Sequence, residues 1–470
     1  MQKEACFMEQ MVKQPGEKRL SYLWRLSWPA IIEQILTTLV SYVDTAMVGV
    51  LGAAGTAAVS VNAAPIWLCG GILMGVGVGY SVQVSNAIGA EDHEKVRAVV
   101  RQSVLAMVVT GLIALAVFQG ISPFLPKWLG AKPEVLPEAV NYLRHYSMAM
   151  PFIAGSYIFS AILRCMGNTK TPLYFNTAAN LLNIVLNFFL IYPTRPVVLL
   201  GVTFTVPGAG LGVTGAAIAS AIALSCAGLA LLLAGTRQGR WRISLQEDFR
   251  PDRAIIRQAV RLGVPTAAER ATVNIGQVLM TAVVASLSTV SLAANHIAVT
   301  AEGLCYLPAY GISYAGIALV GQAVGAGSEE DAQAYGTLAA RLGFLLTVGT
   351  GAALFLGAPI LAGLFNTDPE VVSQAALMLR IVSVSEPFFA LSIILSGTLR
   401  GAHDARYPMV VSLFCMWCIR VPFAPLLVYK AGLGLAGVWI AMAADLVIRG
   451  IWCTLRWRSG TWKKRCGLVS

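Results

Sequence analysis

The chain has 470 residues, of which 57% are hydrophobic and only 12% are charged, and its formal net charge at pH 7 is +11. Apolar runs long enough to cross a membrane recur from Leu26 to Leu455, and a soluble protein does not contain such a series. The composition therefore excludes a soluble protein and indicates an integral membrane protein. No apolar leader with a small-residue cleavage site precedes the first span, so we expect a mature N-terminal arm rather than a signal peptide.

Twelve apolar spans follow one another along the chain. Each is expected to be a helix, because lipid cannot satisfy the open backbone groups of other conformations. We place the spans at about 26–50, 58–86, 102–122, 138–162, 172–192, 209–234, 262–286, 293–322, 342–364, 374–398, 408–429 and 432–455.

The sequence repeats itself across its two halves. With a shift of 236 residues, Pro29 meets Pro265, Glu33 meets Glu269 and Arg164 meets Arg400. Each half holds six spans, an even number, so both halves enter the membrane with the same orientation, which is typical of transporters. We therefore predict an all-α integral membrane fold with twelve transmembrane helices in two pseudo-symmetric six-helix lobes around a central cavity.

The repeat also predicts how the chain is divided. We expect a cytoplasmic arm at 1–25, a first lobe at 26–235, a cytoplasmic linker at 236–261, a second lobe at 262–456 and a cytoplasmic basic tail at 457–470. After its fifth span the first lobe carries 14 additional residues, around "TRPVVLLGVTFTVP".

Most of the 34 lysines and arginines fall on one side of this topology, in the arm, the even-numbered loops and the tail. Loops rich in Lys and Arg stay in the cytoplasm, so we predict a cytoplasmic (inner) membrane protein with both termini and the linker inside the cell. The topology explains the net charge, and we expect the lipid bilayer rather than nucleic acid as a partner.

Asp44 stands inside the first span, in "SYVDTAMVGV". A carboxylate in a bilayer costs energy and by default marks an ion pathway or a relay. Polar residues recur on the same helix face at three- and four-residue spacing, which makes Gln34, Thr38 and Ser41 candidates for the cavity wall.

A stripe of amides follows in the fifth span, where Asn176, Asn180, Asn183 and Asn187 share one helix face. Such a stripe is either structural, joining helices by hydrogen bonds, or part of a binding site. Together with Asp44, the stripe favours binding.

The second lobe keeps the polar face of the first span but loses its acid. Asn274 and Gln277 occupy the positions of Thr38 and Ser41, whereas Asp44 corresponds to Met280. Buried charges also occur here: Glu269, Arg270, Glu302, Glu386, Arg420 and Asp445. One interpretation is that these charges form structural ion pairs. The other is that an acid without a partner binds substrate, and on that interpretation Glu269 and Glu302 are candidates for the cavity wall.

The sequence contains no nucleophile, metal or phosphate-binding constellation that would indicate an enzyme, and no Gly-Lys dipeptide for ATP. We therefore expect a protein that is not an enzyme, has no cofactor, and does not use ATP as its energy source.

Several motifs resemble those of the multidrug and toxic compound extrusion (MATE) family, prokaryotic type. They are "VDTAMVGVLG" at 43–52, "LRCMGNTKTP" at 163–172, "NIVLNFFLIY" at 183–192 and "LRGAHDARYP" at 399–408. The resemblance implies a secondary active efflux transporter that exchanges organic, often cationic, drugs or metabolites for H⁺ or Na⁺ by alternating access. It also implies a cation-coupling site on Asp44, Asn183, Asn187 and Ser220, with no metal beyond a Na⁺ at Asp44.

The chain departs from the family pattern at Asn187, where some members carry a second acid, so H⁺ and Na⁺ both remain open as the coupling ion. We expect small cationic or amphipathic substrates and a monomer. The alternative is a lipid-linked oligosaccharide flippase of the same superfamily. That reading requires a basic cluster in the first-lobe cavity, and the first lobe has none inside the spans drawn above.

Overall fold

The computed structural model describes residues 16–199, 202–243 and 249–467. Parts of the predicted arm, linker and tail, at 1–15, 244–248 and 468–470, lie outside the described residues. The first lobe contains α1 (Gly16–Gly49), α2 (Gly52–Gly89), α3 (His93–Ile121), α4 (Leu136–Ser147), α5 (Met150–Cys165), α6 (Lys170–Leu190) and α7 (Gly212–Thr236). The second lobe contains α8 (Arg253–Ala285), α9 (Thr289–Gly325), α10 (Glu329–Phe365), α11 (Pro369–Ser383), α12 (Glu386–Gly401), α13 (Arg406–Lys430) and α14 (Gly434–Arg458).

The helices of the described chain agree with the predicted fold class. Nine of them are each long and apolar enough to cross a membrane, and the bent pairs α4–α5 and α11–α12 raise that number to eleven. Helix α8, with 33 residues, is the twelfth. Six spans lie in each lobe, so each lobe begins and ends on the same side of the membrane.

Two spans are not the single helices that the sequence predicted at 138–162 and 374–398. Helices α4 and α5 meet at 52°, and helices α11 and α12 meet at 54°. Pro151 and Pro387 stand at the second position of α5 and α12. Proline lacks the N–H of a helical hydrogen bond and disfavours helix in the residue before it, so the chain bends at both places.

The fifth connection adds a small sheet to the otherwise helical fold. Strands β1 (Pro193–Leu199) and β2 (Val202–Ala209) form an antiparallel hairpin from the additional residues of the first lobe. The guanidinium of Arg195 stacks over the ring of Tyr192 at 3.9 Å and packs on Phe188 at 4.6 Å, which fixes the hairpin to the end of α6. The all-α prediction therefore holds for the spans but not for this loop.

The two lobes are in close backbone contact where α2 and α9 end. A Cβ atom on Gly89 would lie 1.9 Å from the carbonyl oxygen of Gln322, and one on Gly325 would lie 1.9 Å from that of Asn86. The second contact is the first one shifted by the 236-residue repeat. No residue larger than glycine fits at this backbone contact without moving the lobes apart.

Helix α9 runs through the hydrophobic core of the second lobe. Its apolar side chains pack against those of α1, α10 and α12, with Ile312 and Leu319 among the buried residues. Helix α1 thus takes part in the core of the opposite lobe, while its polar face remains available to the cavity.

Candidate ion and substrate sites

The structure brings the four predicted cation-site residues together from three helices of the first lobe. Asp44 on α1 accepts a hydrogen bond from the amide nitrogen of Asn187 on α6. With its own amide nitrogen turned toward the carboxylate, Asn183 donates to Oδ1 of Asp44 over 3.1 Å. In that orientation the Asn183 oxygen accepts from the Ser220 hydroxyl on α7, also over 3.1 Å.

The cluster contains oxygen atoms of the kind that bind a cation. Asn187 is fully buried, and its carbonyl oxygen Oδ1 has no hydrogen-bond partner among the described residues. A carboxylate, amide oxygens and a hydroxyl are the ligands that hard cations such as Na⁺ prefer. Because Asp44 is the only acid in the cluster, the same geometry also suits the uptake of one proton.

A second buried network lies nearer the start of α1. Arg164 on α5 donates to Oε1 of Glu33 over 2.6 Å, and Asn176 on α6 donates to the same oxygen over 2.7 Å. The second lobe contains the counterpart, in which Arg400 donates to Glu269 over 2.6 Å and Ser412 donates over 3.4 Å. The predicted cavity residue Glu269 is therefore held in an ion pair.

Glu33 and Arg164 were not among the sequence candidates. The end of the fourth span at 162 left Arg164 outside the membrane, whereas the structure places it buried on the wall of the first-lobe cavity. Arg164 is thus a basic residue of this cavity that the sequence analysis left out, although one arginine paired with Glu33 is not the basic cluster that a flippase requires. The internal repeat could have identified Glu33 and Arg164 as candidates, because both residues recur 236 positions later.

Two adjoining cavities lie between the lobes. The first has a volume of about 420 Å³ and is lined by the candidates Gln34 and Asn180. The second has a volume of about 250 Å³, and four further candidates line it: Glu269, Asn274, Gln277 and Glu302. Thr38 and Ser41 line neither cavity, and the Ser41 hydroxyl donates to the carbonyl of Thr38 within its own helix.

Tyrosine side chains, which the sequence analysis did not single out, form much of the first cavity wall. Tyr146, Tyr157, Tyr310 and Tyr314 line it, and the guanidinium of Arg164 lies 4.4 Å from the ring centre of Tyr314 in the opposite lobe. Tyrosine presents an apolar ring and one polar tip. The cavity thus offers stacking surfaces to flat aromatic compounds.

The buried charges of the second lobe are only partly paired. Asp445 accepts from Arg449 over 2.7 Å and lies 3.8 Å from Arg420. Glu386 is fully buried, and neither of its carboxylate oxygens has a hydrogen-bond partner among the described residues. Glu302 is also buried and lines the second cavity. Ion pairing therefore accounts for Glu269 and Asp445 but not for these two acids.

The profile of the MatE family matches residues 29–189 and 265–426, one match in each lobe. The chain belongs to the MatE family. This result confirms the resemblance seen in the sequence motifs, and the two matched segments correspond to the two halves of the internal repeat.

Two named relatives align with nearly the whole of this MatE chain. The probable multidrug resistance protein NorM of Thermotoga maritima is 28% identical over 457 residues, covering 95% of this chain and 94% of that protein. The uncharacterized transporter YisQ of Bacillus subtilis is 29% identical over 464 residues, covering 98% of each protein.

A solved structure of a MATE protein in complex with MaL6 shares the fold, with a TM-score of 0.87 at 24% identity over 97% of this chain and 99% of that one. The predicted fold class, twelve transmembrane helices in two lobes, is confirmed. As a member of this family of multi-span membrane transporters, the chain is not an enzyme. The two relatives are named as a multidrug resistance protein and a transporter.

Proposed function

We propose that this protein is a secondary active efflux transporter of the cytoplasmic membrane, which exchanges small organic compounds for H⁺ or Na⁺. Named relatives such as NorM support a multidrug substrate range. The tyrosine-lined cavity supports amphipathic aromatic compounds, because such a wall stacks on flat rings.

The observation that carries the proposal is the bonding of Asp44 to two amides on α6. When no ion is bound, the Asn183 and Asn187 amides donate to the carboxylate. When a proton or Na⁺ arrives at the carboxylate, those donors lose their acceptor or rotate their oxygens toward the ion. Either change shifts α1 against α6 and biases the equilibrium between the two open states.

The asymmetry between the lobes supports coupling at one place. At the position equivalent to Asp44, the second lobe has Met280, which is buried and apolar. An ion therefore binds differently to the two lobes, and a rocking motion of otherwise similar halves acquires a direction.

A flippase for lipid-linked oligosaccharides is the weaker reading. A pyrophosphate carries several negative charges and needs a cluster of free basic groups. Arg164 faces the first cavity, but its charge is compensated by Glu33 at 2.6 Å. The other arginine that lines this cavity, Arg270, stands alone, so the described residues supply one uncompensated basic group and not a cluster.

Drug and cation exchange by purified protein in proteoliposomes tests the proposal. Asp44→Asn is nearly isosteric and removes the charge, so we expect it to abolish gradient-driven exchange while the protein still inserts and folds. Asp368→Asn is the matched control, because Asp368 is an exposed helix cap whose role asparagine can also perform. Full coupled exchange by Asp44→Asn would exclude this carboxylate from the mechanism.

A further inference from the structure

Arg270 occupies the boundary between the two cavities and lines both of them. Its Nη1 atom donates to the hydroxyl of Tyr310 over 3.2 Å, and the guanidinium lies 5.3 Å from the centre of that ring. Within the described parts of the chain, no carboxylate oxygen lies within 4.0 Å of this guanidinium. A positive charge thus faces the cavities without a direct ion pair to a described carboxylate.

Two of the other arginines around the second cavity have a carboxylate of their own. Arg400 is paired with Glu269 at 2.6 Å, and Arg449 with Asp445 at 2.7 Å. Arg420 lies 3.8 Å from the same Asp445. The acid next to Arg270 in the sequence, Glu269, is thus already used by another arginine and by Ser412.

The position of the Arg270 side chain is fixed by close packing. A Cβ atom on Gly71 of α2 would lie 2.9 Å from the Cβ of Arg270 and 3.7 Å from the amide nitrogen of Asn274, one turn further along α8. The missing side chain at Gly71 gives the arginine stem its room. The guanidinium is therefore held at the cavity wall before any ligand arrives, which lowers the entropic cost of binding.

Most donors of this guanidinium remain available. A guanidinium has five N–H donors, and Tyr310 receives one of them. Nε is buried without a partner among the described residues. A cation removed from bulk water is costly unless it is paired, so an anionic group on a bound compound would satisfy a requirement that the protein leaves open.

We propose that Arg270, with the Tyr310 hydroxyl beside it, binds a carboxylate or comparable anionic group of the transported compound. The favoured substrates are then amphipathic aromatic compounds that carry a carboxylate, zwitterions included, rather than cations alone. This inference rests on the proposed efflux function, which it makes more specific. The aromatic part of the compound lies against Tyr310 and Tyr314, and the planar fork of Arg270 meets the carboxylate in two parallel hydrogen bonds.

The internal repeat supplies a natural variant for testing the subsite. Gln34 stands at the position equivalent to Arg270 in the first lobe. The substitution Arg270→Gln therefore introduces a residue type that the equivalent helix of the first lobe already carries at this position. Arg270→Lys retains the charge but loses the planar fork.

The probes are two fluorescent dyes with the same ring system, rhodamine 110 with a free carboxylate and rhodamine 123, its methyl ester. Affinity of the purified protein for each dye is measured by fluorescence polarisation, and exchange is measured in proteoliposomes. Wild type should prefer the free acid. Arg270→Gln should weaken binding of the acid on the order of 10-fold or more, the loss expected for a charge-assisted hydrogen bond, and should change ester binding by less than about 2-fold.

The outcomes of these measurements distinguish an anion-binding role of Arg270 from a packing role. Equal weakening of acid and ester, or no preference for the acid in wild type, would overturn the inference and leave Arg270 as a packing partner of Tyr310. Arg270→Lys should retain part of the preference for the acid over the ester. This variant replaces Arg270→Gln in the test if Arg270→Gln does not fold. Acid-selective binding that depends on Arg270, without exchange by wild type, would support the subsite while contradicting the efflux function. Asp44→Asn should abolish exchange of both dyes and keep the preference for the acid.

Discussion

Arg164 donates to Glu33 across 2.6 Å inside the first lobe, and this ion pair is repeated 236 residues later at the same distance by Arg400 and Glu269. Each pair joins the first span of its lobe to the bent fourth span. Replacing a buried ion pair by apolar groups is often neutral, but removing one partner leaves an uncompensated charge. The pair therefore makes the two spans depend on each other.

We expect Arg164→Gln to destabilise the protein by about 3–5 kcal/mol, because Glu33 then remains buried without its cation. The double variant Glu33→Gln, Arg164→Gln should recover a large part of this loss. Thermal unfolding of purified protein in detergent, compared across the two single variants and the double variant, measures the coupling. Equal destabilisation by the double variant and by the sum of the singles would contradict the coupling.

We expect Gly89→Ala to loosen the contact between the lobes, because its Cβ would lie 1.9 Å from the Gln322 carbonyl oxygen. Gln322 also donates to the carbonyl of Cys165 over 3.0 Å, and the Cys165 side chain is buried beside this contact. Cys165 should therefore react faster with a permeable maleimide, as followed peptide by peptide in a mass spectrometer. Gly120→Ala is the control, since its Cβ would meet nothing within 4 Å. Unchanged labelling in Gly89→Ala would show that the contact stays closed.

We expect Asn187→Asp to make exchange depend more strongly on Na⁺ or on low pH. The substitution replaces the hydrogen-bond donor to Asp44 by a second carboxylate, and two neighbouring carboxylates repel each other unless a cation or proton lies between them. Exchange is compared under separate Na⁺ and pH gradients. Asn180→Asp, seven residues earlier on the same stripe, is the control, because its amide bonds to Thr37 rather than to Asp44. The same ion dependence in both variants would mean that Asn187 and Asp44 do not share an ion.

We expect His403 to lower the free energy of unfolding at acidic pH. It lies in the turn between α12 and α13, where burial and the positive charges of Arg261 and Lys95 lower the pKa of His403 to about 4 from its ordinary 6.5. Between these two values the unfolded chain binds a proton that the folded chain does not, so stability falls as the pH drops from about 6.5 toward 4. His403→Asn should remove this part of the loss, since asparagine tolerates the backbone φ of 62°.

The measurement for His403 is the unfolding temperature at pH 7.5 and at pH 5. The difference between the two values should be smaller in the variant than in wild type. A difference of the same size would exclude His403 as a source of the acid sensitivity.

We expect the connection before α4 to face the outside and the connection before α3 to face the cytoplasm. In a background without native cysteines, an impermeant maleimide should label Glu134→Cys in intact cells. It should label Glu94→Cys, in the first turn of α3 next to the other connection, only after lysis. Both positions are exposed in the structure. The reverse pattern would invert the predicted orientation and place both termini outside.

The spans, the repeat and the shared face of the asparagine stripe follow from local patterns, because spacing along a helix determines which residues share a face. That Asp44 belongs to the same site as this stripe was implied by the family resemblance. The ion pairs do not follow in this way. Glu269 pairs with Arg400, 131 residues distant, rather than with the adjacent Arg270, and spacing along one helix does not report a pair between two helices.

Local backbone geometry also could not be predicted from the sequence. Pro151 and Pro387 mark the bent spans, but proline alone does not give the angle, since Pro29 and Pro65 lie inside helices that continue past them. The π-helical turns Cys415–Arg420 and Leu426–Lys430 of α13 lie on either side of a segment that contains Pro422 and Pro425. A period of hydrophobicity does not report such turns.

The even number of spans in each lobe has a consequence for how the protein is made. Both lobes start and finish on the same membrane face, and each has its own internal ion pair. A gene divided between Thr236 and Arg253 would therefore yield two polypeptides that insert independently, each in its correct orientation. We expect the two fragments, produced from separate reading frames in one cell, to assemble laterally in the bilayer into a working transporter.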